Sequence, residues 1–162
     1  MIPSIVERAA QPYLAIPCTV TMRTIAEAAD RLPGLMQWAA TRGITPVGAP
    51  FLKYDVIDMA GSIQVRVGFP APQGTAGEGE VVAGVLPGGR YASLVHTGHP
   101  AGLVDATREL LEWAAAEGLR WDMTPTPAGD AWGARLEVFL TDPRVEPDIE
   151  RWQTELVFRL AD

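Results

Sequence analysis

The most constraining feature of this sequence is an internal repeat. Residues Leu35–Ile44 and Leu110–Leu119 are identical at five of ten positions, with an offset of 75 residues. Both segments show the apolar spacing of an amphipathic helix. Each contains a glycine near its end, Gly43 or Gly118, where a helix terminus favours a residue that tolerates positive φ. The chain is therefore expected to contain one small folding unit twice.

The residues around the two predicted helices repeat as well. One strand-like run precedes each helix and two follow it, and several of these runs alternate apolar and polar residues with period two, as half-buried strands do. The predicted strands are 13–16, 51–59 and 62–69 in the first half, and 91–95, 132–141 and 154–160 in the second. The pattern predicts an α+β fold in which duplicated strand-helix-strand-strand units form an antiparallel sheet with two main helices on one face.

The two units are expected to form a single domain over 1–162. The pseudo-repeats span about 5–70 and 80–161, and a joint rich in glycine and proline lies between them. Residues 123–130 are an insertion relative to the first half. They are predicted to be a loop that acts as the rim or lid of a pocket at the pseudo-twofold seam.

Composition excludes several classes of function. The net charge is −7, and only one of the thirteen basic residues is a lysine, so there is no clustered positive charge for nucleic acid. No apolar run is long enough for a membrane span and no signal peptide precedes the domain, so a cytoplasmic location is expected. Gly88-Gly89-Arg90 lacks the residues of a phosphate-binding loop, and no cofactor is expected. His96 and His99 have no further ligand nearby, so no metal is expected.

Glu137 is the main candidate for a functional residue. Alternation in its strand places it on the face opposite Leu136, Val138 and Leu140, and this leucine and valine face is expected to pack on the helices. One interpretation is a solvated carboxylate on an open sheet face, paired with Arg135 or Arg66. The other is a carboxylate in an aromatic box that holds an organic cation.

Other candidates surround this position in the predicted fold. Glu155 is expected to lie near Glu137 if the last two strands pair, and two close carboxylates would raise one pKa. Tyr54, Tyr91, Trp38 and Trp113 are candidates for pocket walls, although helical core packing also accounts for the two tryptophans.

Several motifs together resemble the GyrI-like domain. They are Gly89-Arg90-Tyr91-Ala92, Glu137-Val138-Phe139-Leu140-Thr141-Asp142-Pro143 and Trp152-Gln153-Thr154-Glu155-Leu156, with Gly48-Ala49-Pro50-Phe51 before Tyr54 in the first half. The resemblance covers about residues 5–160. The GyrI-like domain is also the effector-binding module of AraC-type and MerR-type regulators and has the duplicated SHS2 architecture. No helix-turn-helix motif occurs in this sequence.

The resemblance implies binding of hydrophobic, often cationic, multidrug-like compounds. Glu137 would be the charge partner, and Tyr54, Trp132 and Phe139 would be pocket walls. Some stand-alone members resemble hydrolases of cyclopropane-containing genotoxins, in which Glu137 would be the catalytic general base. Others resemble gyrase inhibitors, but no local feature supports gyrase or a regulator as a partner. The sequence is compatible with a monomer or a homodimer.

Overall fold

A computed structural model describes residues 2–162 of the chain, which form ten strands and three α-helices. The strands are β1 (Ser4–Arg8), β2 (Gln11–Val20), β3 (Phe51–Ile57), β4 (Ile63–Pro70), β5 (Val82–Leu86), β6 (Gly89–Thr97), β7 (Met123–Thr126), β8 (Gly129–Trp132), β9 (Arg135–Phe139) and β10 (Gln153–Arg159). The helices are α1 (Ala26–Ala29), α2 (Leu32–Thr41) and α3 (Leu103–Ala116). No helix among the described residues is long and apolar enough to cross a membrane.

The order of the strands shows the duplication directly. The sheet runs β1-β6-β10-β9-β3-β4-β2-β5 and every pair is antiparallel. The first unit contributes β3-β4-β2 and the second contributes β9-β10-β6, so the same arrangement is read outward from the centre in both directions. The units meet where β3 pairs with β9. The predicted α+β class with duplicated units is confirmed.

Both main helices end in the same way, 75 residues apart. Gly43 and Gly118 have φ angles of 68° and 69°. The amide of Ile44 donates to the carbonyl of Ala39 at 3.0 Å, and the amide of Leu119 donates to that of Ala114 at 2.9 Å. This pattern is the Schellman motif, which satisfies the last carbonyls of a helix and favours glycine at the turn.

The outer strands of the sheet form one continuous ladder. β1 and β2 follow each other in the chain, as do β5 and β6. Arg8 faces Gly89 in the β1–β6 pair, and Gln11 faces Leu86 in the β2–β5 pair, so the register continues unbroken from one pair to the next. The sheet therefore curls until its two ends share a single antiparallel ladder.

Because the sheet curls, both of its faces are buried. On one face, α1 and α2 cover a cluster around Leu35 and Leu52, and α3 covers a second cluster around Leu110 and Leu156. On the other face, a third cluster contains no helical residue. Its buried members are Tyr13, Ala15, Phe51, Leu86, Tyr91, Ala134, Leu136 and Val157. We call this third cluster the strand core.

Two sequence-based predictions are wrong at this level. Leu136 packs into the strand core and Leu140 is exposed, so the helices do not cover the leucine and valine face of β9. The alternation was correct, but the curl of the sheet gives the face without helices its own apolar core. Residues 123–130 are not a simple loop: they form most of the β7–β8 hairpin, and β8 extends the sheet by pairing Ala131 with Val56 of β3.

Candidate functional site

Glu137 lies at the seam between the two units, on the face that carries the helices. Its partner across β3 is Leu52 and its partner across β10 is Leu156. These leucines are 4% and 0% exposed, and they belong to the two different helix-covered clusters. Directly paired residues of antiparallel strands point to the same face. The carboxylate is therefore flanked on both sides by buried leucine, at the boundary between the two clusters.

This environment changes the proton affinity of Glu137. Burial raises the pKa of the Glu137 carboxyl above its ordinary value, because an apolar setting disfavours the charged form. The nearby Tyr54 hydroxyl and the charge of Arg135 act in the opposite direction, and the net direction of the pKa shift is upward. Glu137 is half-buried, so the residue keeps part of its contact with solvent.

Tyr54 is the last residue of β3 before an irregularity in that strand, and it lies two residues after Leu52, the partner of Glu137. The register of the β3–β4 pair shifts between Tyr54 and Val56, so Asp55 is an extra residue in the strand. Tyr54 keeps the same face as Leu52, and its ring packs against the α1–α2 cluster. Burial, followed by the nearby charge of Glu137, raises the pKa of Tyr54 well above its ordinary value. The Tyr54 hydroxyl therefore keeps its proton and is a neutral neighbour of the carboxylate.

The next residue of β9 on this face, Arg135, lies among aromatic rings. Its Cζ atom is 4.4 Å from the ring centroid of Phe158, 4.7 Å from that of Trp132 and 5.9 Å from that of Tyr54. Trp121 completes the group, 5.6 Å from Trp132 and 5.9 Å from Phe158 between ring centroids. We call Trp121, Trp132, Phe158 and Tyr54 the aromatic cluster. The aromatic cluster therefore already surrounds a positive charge, which is the guanidinium of Arg135.

The other predicted site residues separate into two groups. Phe139 packs against the α1–α2 cluster and Trp113 packs against the α3 cluster, so both lie on the face that carries Glu137. Tyr91 lies in the strand core, where its hydroxyl donates to the carbonyl of Pro87 at 2.6 Å. Burial raises the pKa of Tyr91. The sheet therefore separates Tyr91 from Glu137.

The expected proximity of Glu155 to Glu137 is wrong. Glu155 pairs with Val138 across the β9–β10 ladder, so its side chain leaves the opposite face of the sheet. There its carboxylate accepts hydrogen bonds from the Ser93 hydroxyl at 2.6 Å and from Arg8 at 3.0 Å. β9 and β10 do pair as predicted. Successive residues of a strand point to opposite faces, and Glu155 pairs with Val138, the neighbour of Glu137, so the two glutamates point to opposite faces.

Two cavities lie away from Glu137. One of about 460 Å³ lies between α2 and residues 78–81, and another of about 200 Å³ lies near Arg90 and Gly118. Neither is lined by Glu137 or Tyr54, so the pocket at the seam remains a prediction. Within residues 2–162, no group of three or more His, Cys, Asp or Glu side chains is placed to hold a metal ion.

Sequence reasoning missed three members of the site. Arg135 was considered only as a surface ion-pair partner, and Trp121 and Phe158 were not singled out. The signal for Arg135 was present, because it precedes Glu137 by two residues and alternation puts both on one face. The signal for Phe158 was its pairing opposite Arg135, which depends on a register that the sequence does not specify.

Comparison with solved structures shows a shared fold at low sequence identity. The C-terminal domain of EcmrR has a TM-score of 0.80 at 16% identity, covering 99% of this chain and 98% of that chain. EcmrR bound to DNA has a TM-score of 0.79 at 16% identity, and the match covers 99% of this chain but only 57% of that chain.

Two further proteins share the fold over nearly their whole length. SAV2435 bound to tetraphenylphosphonium has a TM-score of 0.61 at 12% identity, covering 99% of this chain and 94% of that one. A hydrolase from Listeria innocua has a TM-score of 0.61 at 14% identity, covering 98% and 91%.

Curated protein sequences give no significant match to this chain. A family profile does match, over residues 1–161, and its description is "GyrI-like small molecule binding domain". This chain belongs to the GyrI-like small molecule binding domain family.

Proposed function

We propose that this protein binds hydrophobic small molecules at the seam above β9, with Glu137 as the partner for a positive charge on those that carry one. The observation that carries the proposal is the position of Glu137 between Leu52 and Leu156, one leucine from each helix-covered cluster. A half-buried carboxylate with apolar neighbours interacts strongly with a cation, because few water molecules screen the charge.

The aromatic side chains near Glu137 support a hydrophobic ligand. Tyr54 and Phe139 pack against the α1–α2 cluster, and Trp132 and Trp113 belong to or pack against the α3 cluster. Aromatic rings provide a large apolar contact area, and each face that a cation meets adds about 0.5–2 kcal/mol. The structurally similar SAV2435 was solved with tetraphenylphosphonium, a cation whose charge is enclosed by four phenyl rings. We propose the same ligand class here.

Calorimetric titration with tetraphenylphosphonium tests the proposal. Glu137→Gln keeps the size of the side chain and removes its charge. We expect the variant to bind at least about tenfold more weakly, equivalent to about 1.4 kcal/mol. Glu112→Gln, an exposed glutamate on α3, serves as the matched control and is expected to bind as the wild type does. Equal affinity of the Glu137→Gln variant and the wild type would remove Glu137 from the role.

A second candidate function is hydrolysis, and the raised pKa of Glu137 favours it. A carboxylate whose pKa is shifted toward neutrality is a better general base near physiological pH. In this reaction Glu137 takes a proton from water as the water oxygen bonds to a carbon of a strained cyclopropane ring. The ring carbon–carbon bond breaks, its electron pair moves to the conjugated acceptor of the substrate, and Glu137 returns the proton there.

Incubation with a cyclopropane-bearing electrophile separates the two candidates. The products are followed by mass spectrometry for a gain of one water. Turnover that is lost in Glu137→Gln would establish the hydrolase. Saturable binding of the same compound with no product after many hours would leave the binding function alone.

A further inference from the structure

The cavity of about 460 Å³ beside α2 plays no part in the proposed function. Its volume lies within the range of about 300–1,000 Å³ that is usual for small-molecule pockets in proteins. One wall is a face of α2 that carries Gly34 and Trp38, which lie four residues apart and therefore above one another on the helix. The other wall is the chain segment 78–81 that precedes β5. We call this segment the strap and the cavity between it and α2 the slot.

Glycines on both walls leave space in the slot. Gly34 of α2 and Gly79 of the strap are both exposed. A Cβ atom at either position would meet no atom of residues 2–162 within 4 Å. Gly79 has a φ angle of 63°, which favours glycine. Gly34 lies inside a helix, where alanine is more stable, so neither backbone geometry nor crowding accounts for it. A ligand that lies close against the helix backbone would account for the missing side chain.

Trp38 provides an aromatic surface in the slot. Its indole ring is partly exposed, and the Cζ atom of Arg42 lies 4.4 Å from the ring centroid. Arg42 is held in turn by Glu78, whose carboxylate accepts hydrogen bonds from Nε at 3.0 Å and from Nη2 at 2.9 Å. Because an indole is large and has few rotatable bonds, it offers a flat ring molecule a wide contact at little loss of conformational freedom.

Two ion pairs join α2 to the strap. Arg31, just before the helix, contacts Glu80 at 2.6 Å, and Arg42, just after it, contacts Glu78 at 2.9 Å. The arginines stand at the two ends of the helix, about 16 Å apart along its axis, whereas the two glutamates flank Gly79. All four charged side chains line the slot and they balance in pairs. An uncharged molecule therefore leaves both pairs intact, whereas a charged one competes with a member of a pair for its partner.

We propose that the slot is a second binding site, separate from the seam, for an uncharged compound with flat aromatic rings. The rings lie on the helix backbone at Gly34 and against Trp38, and the strap covers them. The two ion pairs are exposed and contribute little to stability, so the strap can move to admit the compound. The site does not depend on the proposed function, because Glu137 does not line the slot.

Fluorescence titration with N-phenyl-1-naphthylamine, an uncharged aromatic probe, tests the site. Gly34→Leu fills the slot from the helix side, where the added side chain has space. We expect this variant to bind the probe at least about tenfold more weakly than the wild type, because the leucine occupies the volume of the rings. Ala40→Leu is the matched control, since it adds the same side chain at an exposed position of α2 that does not line the slot. It is expected to bind as the wild type does.

NMR locates the probe without any substitution. In the ¹⁵N-labelled wild type, the amide signals of Gly34 and Gly79 and the indole signal of Trp38 are expected to shift during the titration. The shifts should follow the same dissociation constant as the fluorescence. If all three signals stay unchanged while the probe binds, the slot is not the site.

A charged analogue tests the preference for uncharged compounds. The dye 8-anilino-1-naphthalenesulfonate has the same rings and carries a negative charge. We expect it to bind at least about threefold more weakly, because its sulfonate must compete with Glu78 and Glu80 for the arginines. Equal or tighter binding of the sulfonate would overturn the preference.

One further variant separates the slot from the seam. Glu137→Gln is expected to leave the affinity for N-phenyl-1-naphthylamine unchanged. If Glu137→Gln weakens binding of this probe and Gly34→Leu does not, the probe binds at the seam and the second site fails, while the proposed function is supported. An absence of saturable binding to the wild type would also overturn the second site, and the role of Glu137 would still be decided by tetraphenylphosphonium.

Discussion

Glu137 and Glu155 lie on neighbouring paired strands, but their side chains leave opposite faces of the sheet. Glu137 is directly paired with Leu156, and Glu155 with Val138. Glu137 therefore meets the helix-covered clusters, whereas Glu155 meets Ser93 and Arg8. The thickness of a single sheet separates the candidate ligand-binding carboxylate of Glu137 from the structural carboxylate of Glu155.

The separation predicts different effects of two chemically identical substitutions. Glu155→Gln is expected to leave the affinity for tetraphenylphosphonium within about twofold of the wild type. It should lower the free energy of unfolding by about 1 kcal/mol, because a charge-assisted hydrogen bond to the Ser93 hydroxyl becomes a neutral one. Calorimetry and urea denaturation measure the two quantities. A tenfold loss of binding in Glu155→Gln would contradict the assignment of Glu155 to the other side.

The raised pKa of Glu137 predicts a dependence of stability on pH. A raised pKa means that the folded protein holds this proton more tightly than the unfolded chain does. Between the ordinary pKa of a glutamate and the higher pKa of the folded state, stability must therefore fall as the pH rises. We expect thermal melts of Glu137→Gln to lack this contribution, so its Tm relative to the wild type should increase over that interval. A constant difference at all pH values would contradict the shift.

Tyr54 is predicted to hold the pKa of Glu137 down. Its hydroxyl lies near the carboxylate and favours the ionised form. Tyr54→Phe removes only that hydroxyl and keeps the ring against the α1–α2 cluster. We expect the pKa of Glu137 to rise further in the variant, as followed by NMR titration of its side-chain carboxyl carbon. Tyr13→Phe, which removes a hydroxyl on the other face, should leave the titration unchanged.

The tight curl of the sheet predicts an intolerant glycine in β4. A Cβ atom at Gly68 would overlap the carbonyl oxygen of Leu14 and lie 2.7 Å from the Cβ atom of Ala15. Gly68→Ala must push β2 away and is expected to lower the free energy of unfolding by about 1–3 kcal/mol.

Gly34→Ala in α2 is the matched control, because nothing lies within 4 Å of the added carbon. Alanine there should stabilise the helix by up to about 1 kcal/mol. Thermal denaturation measures both, and equal effects would contradict the crowding at Gly68.

Much of the fold could be predicted from the sequence because the duplication is visible in it. The two Trp-Ala-Ala segments and their terminal glycines identify the helices, and the pairing of the flanking strands follows from the repeat. The face of β9 could not be assigned in the same way. Apolar residues occur on both faces of a curled sheet, so the alternation around Leu136 does not show which face the helices cover.

The candidate site was predictable only in part, for a similar reason. Glu137 and Tyr54 come from motifs that can be recognised locally. The contact between Arg135 and Phe158 joins residues 23 positions apart, and it depends on the register of β9 against β10. Glu155 was expected near Glu137 because their strands were expected to pair. The sheet face to which Glu155 points depends on the register of that pair, which the sequence does not specify. The local chemistry was therefore visible in the sequence, whereas the neighbours across strands were not.

The shared ladder at the rim of the sheet has a consequence for how this chain can be divided. β1 precedes the first helix but completes the sheet beside β6, and β5 follows the joint but completes it beside β2. Each half thus lends a strand to the other. If the chain were divided at the joint, β1 would lose its partner β6 and β2 would lose its partner β5. Either half expressed alone would therefore expose unpaired strand backbone.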